Sequence, residues 1–138
     1  MNLVIDNDLL QTIMLVEKIT RARIDRCIPR DDKLVFIVNK GDAKKIVGQD
    51  GATLKKLESQ LNKKLKIIEK ADDKQQFIRN AMLPLRVSDM KEEEGIVTVS
   101  GADEKTRGLM IGAKAQNLRF TEKIVQMYFP EVREIKVT

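Results

Sequence analysis

The sequence predicts an α+β protein built from two copies of one small unit, each with the order α-β-β-α-α-β and a small mixed sheet packed by helices on one face. Three observations lead there. Apolar residues recur at helical spacing in some segments and at strand spacing in others. Residues 46–51, Ile-Val-Gly-Gln-Asp-Gly, set two glycines between two short helical patterns. A weaker copy, Gly112-Ala-Lys-Ala115, returns about sixty residues later in the same context, as a tandem of like modules would require.

In the first copy, Leu9, Leu10, Ile13, Met14, Val16 and Ile19 make a helical stripe over residues 7–21, with Asp6 or Asn7 available as cap. Residues 24–28 and 34–38 read as strands. Pro29, Arg30, Asp31 and Asp32 between them read as a hairpin turn. Asp42 follows a Gly and is expected to cap a short helix leading to the glycine loop. The next helix, from Ala52, puts Leu54, Leu57 and Leu61 on one face and its lysines largely on the other. Residues 65–68 close the unit as a strand.

Ala71 to Lys74 is polar and reads as a linker, dividing the chain into 1–71 and 72–138. A helix over 75–82 ends at Pro84, and a strand resumes over 85–90. Residues 91–95, Lys-Glu-Glu-Glu-Gly, read as a charged turn rather than a metal site, followed by a strand over 96–100. Gly101 and Asp103 repeat the earlier break and cap. Helices over 106–111 and 116–128, a stop at Pro130 and a strand over 132–137 complete the second copy. Each unit of about 70 residues would be marginal alone, so the two are expected to pack rigidly against each other.

Composition narrows the function. The chain of 138 residues carries a formal charge of +5 and a pI near 9.4, which favours an anionic partner. Nine lysines and four carboxylates lie between Lys40 and Lys70, so this stretch alone holds an excess of +5. Trp is absent, and there are one Tyr and four Phe, too few for a stacking platform of the RRM or OB kind. There is no His, and Cys27 stands alone, so neither the commonest general base nor a cysteine metal cluster is available. No Walker spacing follows Gly48, and no clustered carboxylates suggest a metal. An enzyme is not expected, nor a cofactor, nor a small-molecule substrate. Met1 to Asp6 shows no secretory pattern, and no segment approaches a membrane span; a soluble cytoplasmic protein is the expectation.

The Gly48-Gln49-Asp50-Gly51 loop, with Ile46 and Val47 before it and the Leu54, Leu57, Leu61 helix after it, resembles the Gly-x-x-Gly loop of type II KH domains. Residues 110–119, Met-Ile-Gly-Ala-Lys-Ala-Gln-Asn-Leu-Arg, resemble the same feature, with Gln116, Asn117 and Arg119 matching the family's Gly-x-x-Gly-Gln-Asn-x-Arg. Gln76-Phe-Ile-Arg-Asn-Ala81 is similar to the helix joining the two modules in the NusA-like transcription factors of archaea, which consist of two KH domains. The resemblance spans nearly the whole chain. It implies single-stranded RNA as partner, RNA polymerase as a further candidate, and a role in transcription elongation, pausing or termination.

It also implies the site. Backbone N–H groups at Gly48, Gly51 and Ala52 would meet phosphate or sugar, beside Gln49 and Asp50. Lys44, Lys45, Lys55 and Lys56 would add salt-dependent attraction, and Ile46 and Val47 an apolar floor shared with the core. In the second unit Gly112, Ala113, Lys114, Ala115, Gln116, Asn117 and Arg119, with Arg107 nearby, take the corresponding places. Asn117 suits a base edge or the local backbone equally. Two departures matter. Asp50 is expected to cap the following helix, which would put a carboxylate where a phosphate should dock. Ala115 keeps close backbone approach but makes positive φ costly, while Lys114 supplies the cation that the first loop lacks. Weak binding by each unit, useful when the two are joined, is the expected result.

Two other readings compete. Helix, glycine turn and helix over 42–61 is also the pattern of a DNA-binding helix-turn-helix, but the flanking strands and the second copy oppose it. A protein-interaction scaffold with decayed loops is the stronger alternative.

Overall fold

The computed structural model describes residues 7–138. Asp6, a candidate cap, and the stretch read for a secretory signal lie outside the described residues. The chain divides into two compact units, Met1–Lys70 and Ala71–Thr138.

The first unit contains α1 (Asn7–Thr20), β1 (Ile24–Arg30), β2 (Lys33–Val38), α2 (Ala43–Val47), a single tight turn (Gln49–Gly51), α3 (Ala52–Leu61) and β3 (Lys64–Glu69). Its sheet has the order β1-β2-β3, with β2 antiparallel to β1 and parallel to β3. A central strand needs apolar residues in a continuous run, and β2 supplies five in succession. Leu34, Phe36 and Val38 join Val16, Ile46, Leu57 and Leu65 in the core under the helices. Val35 and Ile37 alternate to the other face and are buried as well. Full burial of a side chain such as Phe36 or Ile46 contributes roughly 1.5–3 kcal/mol.

The second unit contains α4 (Lys74–Met82), β4 (Val87–Glu93), β5 (Ile96–Gly101), α5 (Glu104–Ile111), a tight turn (Ala113–Ala115), α6 (Gln116–Tyr128) and β6 (Glu134–Val137). Its sheet repeats the first, β4-β5-β6, antiparallel then parallel. The register shift in the edge strand recurs too, at Ile24/Arg26 and at Val87/Asp89. Val97, Val99 and Ile135 are buried with Leu118, Ile124 and Val125. Phe77 packs its ring 5.2 Å from Tyr128 and 5.7 Å from Phe129.

Several expectations are corrected. Pro29 and Arg30 belong to β1, and the hairpin turns on Asp31 and Asp32. Proline is tolerated there because β1 is an edge strand. Likewise Lys91, Glu92 and Glu93 extend β4, and the turn is Glu94-Gly95, at φ 52° and 81°, the left-handed pair that a two-residue hairpin needs. The strand expected from residue 85 begins at Val87, and the one expected from 132 begins at Glu134.

Asp42 does not cap α2 through its side chain. Its backbone sits at φ −98°, ψ −12°, outside the extended conformation that lets a cap reach forward. Its carboxylate instead accepts from the Arg23 N–H at 2.8 Å and pairs with Lys45 at 3.0 Å. The N–H of Ala43 is taken by Glu69 of β3, at 3.1 Å. Asp73 and Asp103 are true caps, accepting from Gln76 at 3.0 Å and from Thr106 at 2.7 Å.

Candidate functional site

The first, third and last positions of the two glycine loops share one backbone conformation each. Gly48 lies at φ 73°, ψ −176° and Gly112 at 75°, 174°. Asp50 lies at 53°, 28° and Lys114 at 54°, 32°. Gly51 lies at 75°, 12° and Ala115 at 59°, 23°. Three of the four positions in each loop therefore have positive φ. The last two are left-handed helical, which costs a residue with a Cβ about 1–2 kcal/mol. The first, with ψ near 180°, adopts a conformation essentially confined to glycine.

The first glycine of each loop is required for a second reason. A Cβ on Gly48 would strike the Thr53 side chain, whose Cβ would be 2.8 Å away. A Cβ on Gly112 would meet Asn117 at 2.7 Å. The last position is different: a Cβ on Gly51 meets nothing within 4 Å. This is why alanine can stand at 115, with a conformational cost and no steric one. Thr53 and Asn117 thus act as matching buttresses, each five residues after the first glycine. Asn117 Nδ2 donates to the Leu109 carbonyl at 3.0 Å, so the backbone alternative applies at that nitrogen.

Three N–H groups expected to meet phosphate are already used. Gly48 donates to Lys44 at 2.9 Å, Gly51 to Gly48 at 3.4 Å and Ala52 to Gln49. Gly112, Ala115 and Gln116 do the same in the second loop. The N–H groups left outside these turn bonds are those of Gln49 and Asp50, and of Ala113 and Lys114. All four residues, Gln49, Asp50, Ala113 and Lys114, are exposed.

Asp50 is not a cap. Gly51 holds the cap position of α3, and neither the turn nor the helix has a side-chain cap bond. A left-handed Asp50 stands at the loop apex, where it cannot fold forward onto the helix as an extended cap does.

The other expected residues fall into three groups. Lys44, Lys55, Lys56 and Lys114 have no ion pair among the described residues. Lys45 and Arg119 are paired, with Asp42 at 3.0 Å and Glu122 at 2.9 Å. Ile46 is fully buried core, Val47 is half-buried, and Arg107 lies against Gly101, where a Cβ would meet its Cγ at 2.7 Å. The Arg23 N–H, then Lys45, holds the Asp42 carboxyl below the usual range, and the Thr106 backbone N–H does the same for Asp103.

Glu58 and Glu122 are matching residues that no sequence motif marks. Each stands six residues into its long helix and accepts from a strand N–H, Leu65 and Ile135, both at 2.9 Å. They hold α3 against β3 and α6 against β6. A carboxylate one turn after the apolar stripe began was the available signal, though it looks like any solvated helix residue.

No group of three or more His, Cys, Asp or Glu able to hold a metal occurs among the described residues, and no described helix is long and apolar enough to cross a membrane.

Comparison with known proteins identifies the family. The KH domain family model matches residues 11–99. The probable transcription termination protein NusA of Methanocaldococcus jannaschii is 32% identical over 88% of this chain and 67% of its own length. The protein of the same name from Halococcus morrhuae is 28% identical over 94% of both chains. The crystal structure of APE1850 superposes with a TM-score of 0.67, at 23% identity, over 94% of this chain and 96% of that one; this likeness concerns the fold. By the span of the family match and the identity to these relatives, the chain belongs to the archaeal NusA-like KH proteins.

Proposed function

We propose that this protein binds single-stranded RNA through both glycine loops, each unit acting as a type II KH module, and that it serves transcription elongation or termination in the cytoplasm. The observation that carries the reading is the likeness of the two loops: the same backbone at their first, third and last positions, with the same pair of N–H groups left outside the turn bonds. Those N–H groups, at Gln49 and Asp50 and at Ala113 and Lys114, are the donors that would meet the RNA backbone. Lys44, Lys55, Lys56 and Lys114 supply charge without reading sequence. RNA polymerase is the second candidate partner, because a role in transcription termination, the role in the relatives' names, is exercised on the transcribing enzyme.

The scaffold reading draws on one observation, the carboxylate of Asp50 at the apex of the first loop. Fluorescence anisotropy with single-stranded RNA, over a salt series, separates the two. Gln49→Glu and Lys114→Glu change exposed side chains at the two loops and should each weaken binding. Each should flatten the salt slope by about 0.7 for every phosphate that is no longer neutralised. Wild-type binding that neither substitution alters would favour the scaffold.

A further inference from the structure

The hairpin end of the first unit carries a row of cations that the fold does not require. Arg30 pairs in register with Lys33, and Lys33 with Lys64, so three cations lie side by side across the three strands. Like charges directly opposite one another destabilise a sheet. The same register in the second unit holds Glu93, Ile96 and Glu134, so an identical topology is built there without cations and with the opposite sign.

One member of the row, Lys64, also lines a hollow of about 630 Å³ between the end of α3 and the hairpin turn, together with Lys55, Lys63, Asp32 and Glu58. The Glu58 carboxylate is engaged by the Leu65 N–H. Lys33, Lys55, Lys63 and Lys64 have no ion pair among the described residues, and Lys33, Lys63 and Lys64 are exposed. In the second unit the counterpart of Lys55 is Arg119, which is bound to Glu122. The crowding is felt nearby: burial first, then Arg30 and Lys33, push the Lys66 ammonium down to about 8.

We propose that this cationic end, centred on Lys33, Lys63 and Lys64, is a second binding site for RNA phosphodiester backbone, separate from the glycine loop. An anionic strand would relieve the repulsion between Lys33 and Lys64, which stand opposite each other in register. Its centre, at Lys63 and Lys64, lies past the far end of α3 from the loop, about 15 Å along a ten-residue helix, and Lys55 in the first turn of that helix stands between the two sites. A strand gripped at the loop therefore reaches it only when long enough. The proposal rests on the RNA-binding reading in one respect, the identity of the polyanion.

RNA length separates the two sites. A loop of this kind clamps about four nucleotides. The double variant Lys63→Gln, Lys64→Gln should bind an RNA of about four nucleotides as the wild type does. With about twelve nucleotides it should bind roughly tenfold more weakly at low salt, with a salt slope smaller by about 1.4. Both side chains are exposed, and circular dichroism checks the fold. Wild-type affinity and slope for the longer RNA would overturn the proposal, leave the loop reading intact, and point to an acidic protein as the partner of this end. Equal loss with both lengths would overturn it too, since the site would then not be separate. No binding of either RNA by the wild type would end both readings.

Discussion

Asp50 and Lys114 share one backbone conformation at the apex of equivalent loops, φ 53°, ψ 28° against φ 54°, ψ 32°, and differ in charge. The loops are therefore one backbone device that carries opposite charge at its apex. Charge there is free to vary because neither side chain caps a helix or enters an ion pair among the described residues.

Asp50→Lys should strengthen binding of single-stranded RNA by roughly three- to tenfold at low salt and steepen the salt slope by about 0.7. Thermal stability should stay within ~0.5 kcal/mol of wild type, because an exposed residue with no cap bond is being replaced. Anisotropy and a melting curve measure the two quantities. A large loss of stability would mean that the carboxylate has a structural role.

The glycine positions should rank by sterics as well as by φ. Ala115→Gly should stabilise the second unit by about 0.5–1 kcal/mol, relief of a left-handed alanine less the entropy glycine brings. Gly51→Ala should cost about 1 kcal/mol, since space is open there. Gly48→Ala should cost roughly 2–4 kcal/mol, because overpacking against Thr53 adds to the same conformational term. Urea denaturation orders the three; equal costs at Gly48 and Gly51 would refute the buttress.

Lys66 sets a dependence on alkaline pH. Its folded pKa of about 8 lies below its ordinary 10.5, so between these values the unfolded chain binds more protons. Stability should accordingly rise from pH 8 toward 10.5 and be lower below pH 8, where the charge is carried in both states. Lys66→Met should remove that rise and stabilise the protein at neutral pH. Denaturant midpoints across this range test the sign.

The order of elements was legible because helical and strand periods alternate cleanly, and because glycine and proline fall between them. Where the structure departs from expectation, the deciding quantity was absent from the sequence. Pro29 and the run Lys91 to Glu93 have turn-like chemistry, but an edge strand accepts both. Asp42 and Asp50 have cap-like chemistry, but a cap depends on φ and ψ, and both are wrong for it. In the site, the glycines and lysines were visible from spacing and charge. The consumption of the Gly48, Gly51 and Ala52 N–H groups was not, since a two-glycine motif does not reveal which donors its own turn takes. Glu58, Glu69 and Glu122 act across many residues of sequence, where no local pattern marks them.

The moorings of α2 have a mechanical consequence. Asp42 binds the Arg23 N–H just before β1, and Glu69 at the end of β3 binds the Ala43 N–H. The helix that leads into the first loop is thus tied to both edges of its sheet. The helix leading into the second begins on its own Asp103, bound to Thr106. A pull on a strand held at Gly48 would pass into the whole sheet and be resisted there. The same pull at Gly112 would meet a helix start secured within its own first turn, so under tension the second loop should yield first.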